Sequence, residues 1–328
     1  MEILITGGAG FIGSHLAETF VSEGHDVVVF DNLDPYYDVS LKQRNLDQIR
    51  DAAAQSDGTF EAVKGNVRDE SAVSAHVTPA DCIFHQAAQA GVRTSVENPR
   101  KPHKVNVDGT LNVLDAARDS DTKRVILASS SSVYGKAENL PYEENDPARP
   151  VSPYGVSKLA AEQYARVYSE VYDLPTVSLR YFTVYGPRMR PNMAISNFVS
   201  RCLDGRPPVV YGDGKQTRDF THISDIVDAN RRLLSTDAAD GEVLNIGSTD
   251  NITIRQLAIN IRDQIDPNLE LQYDDRHAGD AEHTHADISK AKEYIGYEPS
   301  ISIEEGVERF VGWYRDNPQW YEPIPSTH

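Results

Sequence analysis

The sequence holds only two cysteines, Cys82 and Cys202, in 328 residues. They stand far apart and outside any C-x-x-C pattern, so neither a disulfide scaffold nor a cysteine zinc site is expected, and the compartment that fits is the cytoplasm. Long apolar runs are also missing. No window approaches the roughly 18 consecutive apolar residues of a membrane span, and the first strand-like run, Ile3-Leu4-Ile5, starts two residues after Met1, so neither an anchor nor a signal peptide is expected. Positive charge is scarce: 32 Lys and Arg face 50 Asp and Glu, for a net charge of −18. That balance repels nucleic acid and anionic lipid. Lysine is the scarcer of the two bases, 10 against 22 arginines, and such a carboxylate-rich, lysine-poor surface suits a protein from a salt-loving organism. Internal repeats and low-complexity tracts are absent, which removes solenoids and linkers from consideration.

What remains is a globular composition, 39% hydrophobic and 25% charged, long enough for one large or two intimately packed domains. Short β-branched runs at residues 3–6, 27–30, 60–64, 82–86, 124–129 and 176–182 alternate with helical spacing, the rhythm of βαβ units. The expected fold is α/β, a Rossmann-type doubly wound parallel sheet. After about residue 183, Gly186-Pro187, Pro191, Pro207-Pro208 and Gly212-Asp213-Gly214 break the chain into short elements. We therefore expect residues 1–182, with a returning segment near 215–245, to form the cofactor domain. Residues 183–214 and 246–328 should form a smaller, mostly C-terminal α/β substrate-binding domain.

Between the first strand and the first helix runs Thr6-Gly7-Gly8-Ala9-Gly10-Phe11-Ile12-Gly13. Glycines at 7, 10 and 13 let backbone approach a pyrophosphate, and the helix N-terminus offers free N–H groups and the positive end of its dipole. Asp31 closes the second strand 18 residues beyond Gly13, where a carboxylate accepts both adenosine ribose hydroxyls and repels a 2′-phosphate. The cofactor expected is NAD rather than NADP.

Further on, Ser152-Pro153-Tyr154-Gly155-Val156-Ser157-Lys158 opens a helix, so Tyr154 and Lys158 are i, i+4 neighbours on one face. An ammonium beside a phenol, together with the positive nicotinamide of NAD, favours the phenolate, so Tyr154 is expected to work as a base below its ordinary pKa. The preceding strand delivers Ser129-Ser130-Ser131-Ser132-Val133-Tyr134-Gly135 to the carboxyl edge of the sheet, where ligands of doubly wound folds sit.

With these motifs the sequence resembles the extended short-chain dehydrogenase/reductase family, in its nucleotide-sugar epimerase and dehydratase branch. The resemblance covers nearly the whole chain. Its other markers are Asp31-Asn32, Gly65-Asn66-Val67-Arg68-Asp69, His85-Gln86-Ala87-Ala88, Asn106-Val107-Asp108-Gly109-Thr110, Arg180-Tyr181-Phe182 and the stretch from Tyr211 to Arg218. The resemblance implies that Ser130, Tyr154 and Lys158 are catalytic, with Tyr154 the acid/base. It implies a cofactor site from Gly7, Gly10, Phe11, Ile12, Gly13, Asp31, Asn32, Asn66, Val67, Ala87, Ala88, Asn106, Tyr154, Lys158 and Tyr181. Asn66 stands where the family commonly has Asp, and an amide oxygen can still accept from an adenine amino group. His85 is read as a structural strand-end residue. Homodimerisation through the Tyr154 helix and the one before it is implied in the same way; Leu111, Leu114 and Ala117 give that earlier helix an apolar stripe that serves an interface or a core equally well.

Enzymes of this branch first oxidise C4 of the sugar. Dehydratases then need an added acid and base, which the family supplies as Asp-Glu directly after the catalytic Ser/Thr, and decarboxylases carry Glu at the second position. Here Ser131-Ser132 fills both, which favours plain 4-epimerisation. The loop Thr183-Val184-Tyr185-Gly186-Pro187-Arg188-Met189-Arg190 and the segment holding Arg93 resemble UDP-glucuronate 4-epimerases more than UDP-glucose 4-epimerases, in which Asn usually occupies the position of Thr183. The substrate site implied comprises Arg93, Ser130, Ser131, Ser132, Thr183, Arg190, Tyr211, Arg218, Arg276 and Asp280. The Arg276 motif is one residue longer than the family's, so the phosphate ligand there is either Arg276 or His277. No metal is expected, because the spacing of His277, Asp280, Glu282, His283 and His285 matches no common zinc pattern. The expectation is therefore a UDP-glucuronate 4-epimerase. The alternatives are a UDP-glucose 4-epimerase, a decarboxylase or dehydratase, an oxidoreductase that releases NADH, or a noncatalytic NAD-binding protein.

Overall fold

The computed structural model describes residues 1–136, 139–248, 250–275 and 282–320, the side chain of Gln319 excepted. Its first half runs β1 (Glu2–Thr6), α1 (Phe11–Ser22), β2 (Asp26–Asp31), α2 (Val39–Ala53), β3 (Thr59–Lys64), α3 (Glu70–Val77), β4 (Cys82–His85), α4 (Val92–Glu97), α5 (Arg100–Pro102), α6 (Gly109–Arg118) and β5 (Arg124–Ser130). Then follow α7 (Pro153–Tyr172), β6 (Thr176–Tyr181), β7 (Thr183–Tyr185), α8 (Ala194–Leu203), β8 (Val209–Tyr211), β9 (Thr217–His222) and α9 (Ile223–Arg232). The chain closes with β10 (Val243–Ile246), β11 (Asn251–Thr253), α10 (Ile254–Ile265), β12 (Gln272–Asp274), α11 (Ser289–Ile295) and α12 (Ile303–Asp316).

A seven-stranded sheet in the order β10-β6-β5-β4-β1-β2-β3, parallel throughout, forms the centre. Strands covered on both faces need no polar alternation, and β4 and β6 are buried at every residue. The strand order reverses between β1 and β4, so the crevice at their carboxyl ends is the natural ligand site of such a sheet. Thr6, Asp31, His85, Ser130 and Tyr181 all lie at that edge.

The remaining strands form two small sheets, β11-β9-β7 and β12-β8. With α8, α10 and α12 they enclose a second core of Tyr185, Phe198, Val210, Phe220, Leu257, Ile261 and Phe310. Not everything after residue 246 joins it: Ala291 and Ile295 of α11, with Tyr297, pack in the core of the large sheet. They do so because α11 lies against β10, the last strand of that sheet.

Two expectations resolve here. Leu114 and Ala117 of α6 are buried against Val67, Val73 and Ile83, so the α6 stripe is core rather than interface. α7 is long because its start is fixed twice: the Ser152 hydroxyl accepts from the Gly155 N–H at 3.1 Å, and Pro153 opens the first turn. Asp173, at φ 54°, ends it.

Candidate active site

The β1–α1 loop has the shape of a dinucleotide cradle. Gly7 sits at φ +70°, and a Cβ there would lie 2.6 Å from the Ala87 nitrogen; at Gly13 it would lie 2.5 Å from the Gly7 carbonyl. Side chains are therefore excluded where β1, α1 and the β4 loop meet. Gly10 caps α1 without a side chain, and no acidic residue occupies the first turn, which leaves the N–H groups and dipole of the helix open to an anion. Asp31 lies at the end of β2, accepting from the Ala9 N–H at 3.2 Å and the Leu33 N–H at 2.8 Å. Lys42 stands 3.9 Å behind it. These residues fit a pyrophosphate and a ribose.

Other expected cofactor positions differ in what they offer. Phe11 and Ile12 face the core of the large sheet, and Asn32 turns its amide oxygen to the Asp34 N–H. Val67 is buried, its carbonyl taken by Asn112. The Asn66 amide oxygen already accepts two Arg68 donors, the backbone N–H at 3.0 Å and Nε at 3.2 Å, so the acceptor expected for adenine is occupied from within the loop. Tyr181 spends its hydroxyl on Asn230 and Gln86, and burial pushes its phenol up to about 12. Ala87 and Ala88 line the bend after β4, where the Ala87 N–H donates to the Thr6 hydroxyl at 3.3 Å.

Asn106 occupies a π-helical turn, His103–Asp108, between α5 and α6, a distortion that concentrates at functional sites. Its amide joins the Gln89 backbone N–H and C=O to the Ser157 hydroxyl of α7. His85 is a brace: its ring nitrogens meet the Thr6 and Thr110 hydroxyls, and burial holds its pKa down at about 3.

Ser130, Tyr154 and Lys158 converge at the β5 end of the crevice. The Ser130 hydroxyl is near enough to lower the Tyr154 pKa, and the Tyr154 backbone N–H donates to the buried Ser95 hydroxyl at 3.2 Å. Lys158 Nζ donates to the Ala128 carbonyl at 2.6 Å. Burial lowers the Lys158 pKa to about 8, against the opposing pull of the Glu162 carboxylate. Burial raises the Tyr154 pKa, outweighing the Ser130 hydroxyl and the Arg190 charge that both lower it. Desolvation penalises the phenolate more than these protein groups favour it. Ser131 and Ser132 form the 3₁₀ turn after β5, and the Ser132 N–H donates to the Ser130 hydroxyl.

The structure separates the two arginines of the substrate loop. Arg188, at φ 64°, turns away from Tyr154; its Nη2 meets Glu18 at 2.6 Å and its Nε meets His15 at 3.3 Å, both on α1. Arg190 turns inward, close enough to lower the Tyr154 pKa. Its Nη1 is buried and bonds to nothing among the described residues, and Nη2 reaches only the Met193 sulfur at 3.4 Å. Thr183 is in β7, opposite Phe220. Arg93 stacks on the Tyr211 ring at 5.2 Å, and Arg218 Nη1 donates to the carbonyls of Thr217 and Glu282. Arg276, His277 and Asp280 lie outside the described residues.

A family profile described as GDP-mannose 4,6 dehydratase matches residues 4–310. The chain belongs to this family of extended short-chain dehydrogenases/reductases. It is 39% identical to a probable UDP-glucuronate 4-epimerase of Rhizobium meliloti, over 97% of this chain and 98% of the relative. A putative UDP-glucose 4-epimerase of Methanocaldococcus jannaschii is 36% identical, over 96% and 99%. Among solved structures, the UDP-glucuronic acid 4-epimerase of Bacillus cereus, in complex with UDP-glucuronic acid and NAD, superposes with a TM-score of 0.90 at 33% identity, covering 96% of this chain and 99% of that one.

Sequence reasoning missed three parts of the site. Ser95 and the Glu162–Arg180 pair behind Lys158 lack a local signature. Tyr36, which faces Arg190, did have one: two adjacent aromatic residues in the loop after Asp31.

Proposed function

We propose that this protein is a UDP-glucuronate 4-epimerase using NAD. The observation that carries the reading is Arg190: a buried guanidinium N–H without an acceptor among the described residues, with its charge felt at the Tyr154 phenol. An unmet charged donor in a low-dielectric cleft is costly unless a ligand meets it, and a hexose carboxylate at C5 is such a ligand. Ser130 holds the Tyr154 hydroxyl toward O4, and Tyr154 takes the O4 proton and later returns it. NAD, when bound, supplies the hydride acceptor at C4, a positive charge that opposes the burial penalty on the phenolate, and the returning hydride. Lys158, in the first turns of α7, is the positive partner of the phenolate.

The 4-ketone then turns over, so that the other face is reduced and the proton from Tyr154 completes the opposite configuration. Ser131 and Ser132 offer no carboxylate to drive elimination. The 4-keto derivative of glucuronate is a β-keto acid, and a carboxylate clamped by Arg190 keeps its C–CO₂ bond out of line with the ketone π system, which protects it from loss of CO₂. Competition between UDP-glucuronate and UDP-glucose in wild type and Arg190→Ala tests the reading. Wild type should prefer UDP-glucuronate, and the substitution should erase that preference, by roughly 10- to 100-fold for a charged hydrogen bond worth about 1.5–3 kcal/mol. Faster turnover of UDP-glucose by wild type would establish a UDP-glucose 4-epimerase instead.

The proposal extends to assembly and setting. Val156, Tyr164 and Val171 stay exposed along one side of α7, which suits a helix pairing with its copy in a homodimer; light scattering of wild type and Val156→Glu checks this. A cytoplasmic, salt-adapted enzyme accounts for the charge of −18, and no described helix is long and apolar enough to cross a membrane.

A further inference from the structure

We infer that Tyr36, in the loop after β2, is the positioning residue that sets Arg190 for an acidic sugar. The inference rests on the proposed role of Arg190. The Arg190 guanidinium carbon lies 5.6 Å from the centroid of the Tyr36 ring, within range of a cation–π contact. The Tyr36 hydroxyl accepts from Asn192 Nδ2 at 3.3 Å, two residues beyond Arg190. On its other side the hydroxyl closes on Gly91, where a Cβ would lie 2.4 Å from it, four residues before Ser95, the residue that holds the Tyr154 backbone. Tyr36 thus ties three segments together: its own loop, the turn into α4, and the substrate loop.

The ring is itself held in place. Tyr37 meets Tyr36 edge-on with centroids 6.4 Å apart, and Lys42 lies 5.2 Å from the Tyr37 centroid while pairing with Asp31 at 3.9 Å. A chain of contacts therefore runs from the ribose carboxylate through Lys42, Tyr37 and Tyr36 to Arg190. Apart from the ring, Arg190 has, among the described residues, only the Met193 sulfur as a polar contact at its tip. Its direction therefore depends on the Tyr36 face. A guanidinium fork selects a carboxylate only when it is already aimed, whereas a neutral C5 hydroxymethyl group gains little from that aim.

The test compares wild type, Tyr36→Phe and Tyr36→Leu, each loaded with NAD. Calorimetry gives the dissociation constants of UDP-glucuronate and UDP-glucose, and steady-state assays give kcat and KM for UDP-glucuronate. Tyr36→Leu should cut the preference for UDP-glucuronate over UDP-glucose by about 10-fold, with the loss in KM more than in kcat. Tyr36→Phe, which keeps the ring, should stay within about threefold of wild type. An unchanged preference in Tyr36→Leu, or an equal loss in both variants, overturns the inference. Loss of bound NAD or an early melt in Tyr36→Leu also overturns it, since that places Tyr36 in the cofactor site or the core. A wild type that prefers UDP-glucose refutes the acidic-sugar reading first, before any variant is compared.

Discussion

Replacing Glu162 with Gln isolates the buried ion pair that underlies α7. Glu162 lies on α7 four residues after Lys158, its side chain wholly buried, and Arg180 of β6 meets it side by side, Nε to Oε1 at 3.0 Å and Nη2 to Oε2 at 2.9 Å. The Ser129 hydroxyl also donates to Oε1. Arg180 in turn lies over the Tyr134 ring and donates to the Tyr134 hydroxyl and the Glu144 carbonyl. The amide keeps the volume but removes the charge, and it points an NH₂ donor at a guanidinium that is itself all donors. Breaking a buried pair from one side costs about 3–5 kcal/mol. At about 2 °C per kcal/mol, the low end for large domains, the melting temperature should fall by roughly 6–10 °C in a calorimetric scan at pH 7. The carboxylate also raises the proton affinity of Lys158, so in Glu162→Gln the Lys158 ammonium should titrate below 8. Removing both charges, as Glu162→Leu with Arg180→Met, should recover much of the loss, because no uncompensated charge remains. A shift under about 2 °C in the single variant, or a double variant as unstable as the sum of its parts, would refute this account of the pair.

Tyr154→Phe should retain fold and bound NAD while turnover drops at least about 100-fold, as expected for a lost general acid/base; activity within a few-fold of wild type would remove Tyr154 from the chemistry. Lys158 has a folded pKa of about 8 against an ordinary value near 10.5, so its burial cost is complete below pH 8 and vanishes as pH rises through the unfolded value. Urea titrations of cofactor-stripped protein should therefore show wild type gaining stability on Lys158→Met as pH goes from 8 to 10, toward a total of about 3 kcal/mol. A constant difference between the two proteins would contradict the shift. Molar potassium chloride should raise the melting temperature by screening repulsion among the excess carboxylates, and an unchanged value would count against salt adaptation.

Features built from neighbours in the chain were legible in the sequence. The six expected strands appear within two residues of their expected ends; five are compact apolar runs buried in the parallel sheet, and β3, at its edge, keeps the run without a buried residue. The glycine loop opens α1, and Ser152-Pro153 starts α7 with Tyr154 and Lys158 one turn apart; in each case the motif and the geometry lie within one turn of chain. The tertiary structure decided the rest, where a contact joins residues far apart in sequence. The resemblance singled out Arg190 over Arg188 without a physical reason; the structure supplies it, since a left-handed backbone at Arg188 and a carboxylate on α1 hold that guanidinium on α1, while the Arg190 charge reaches Tyr154. Leu114 and Ala117 form a stripe that fits a core or an interface, and only the packing of α3 and β4 against it made it core. For Tyr154 the local pattern names the ammonium and the cofactor charge that favour the phenolate, while the opposing desolvation comes from burial by segments distant in the chain, which no local pattern encodes.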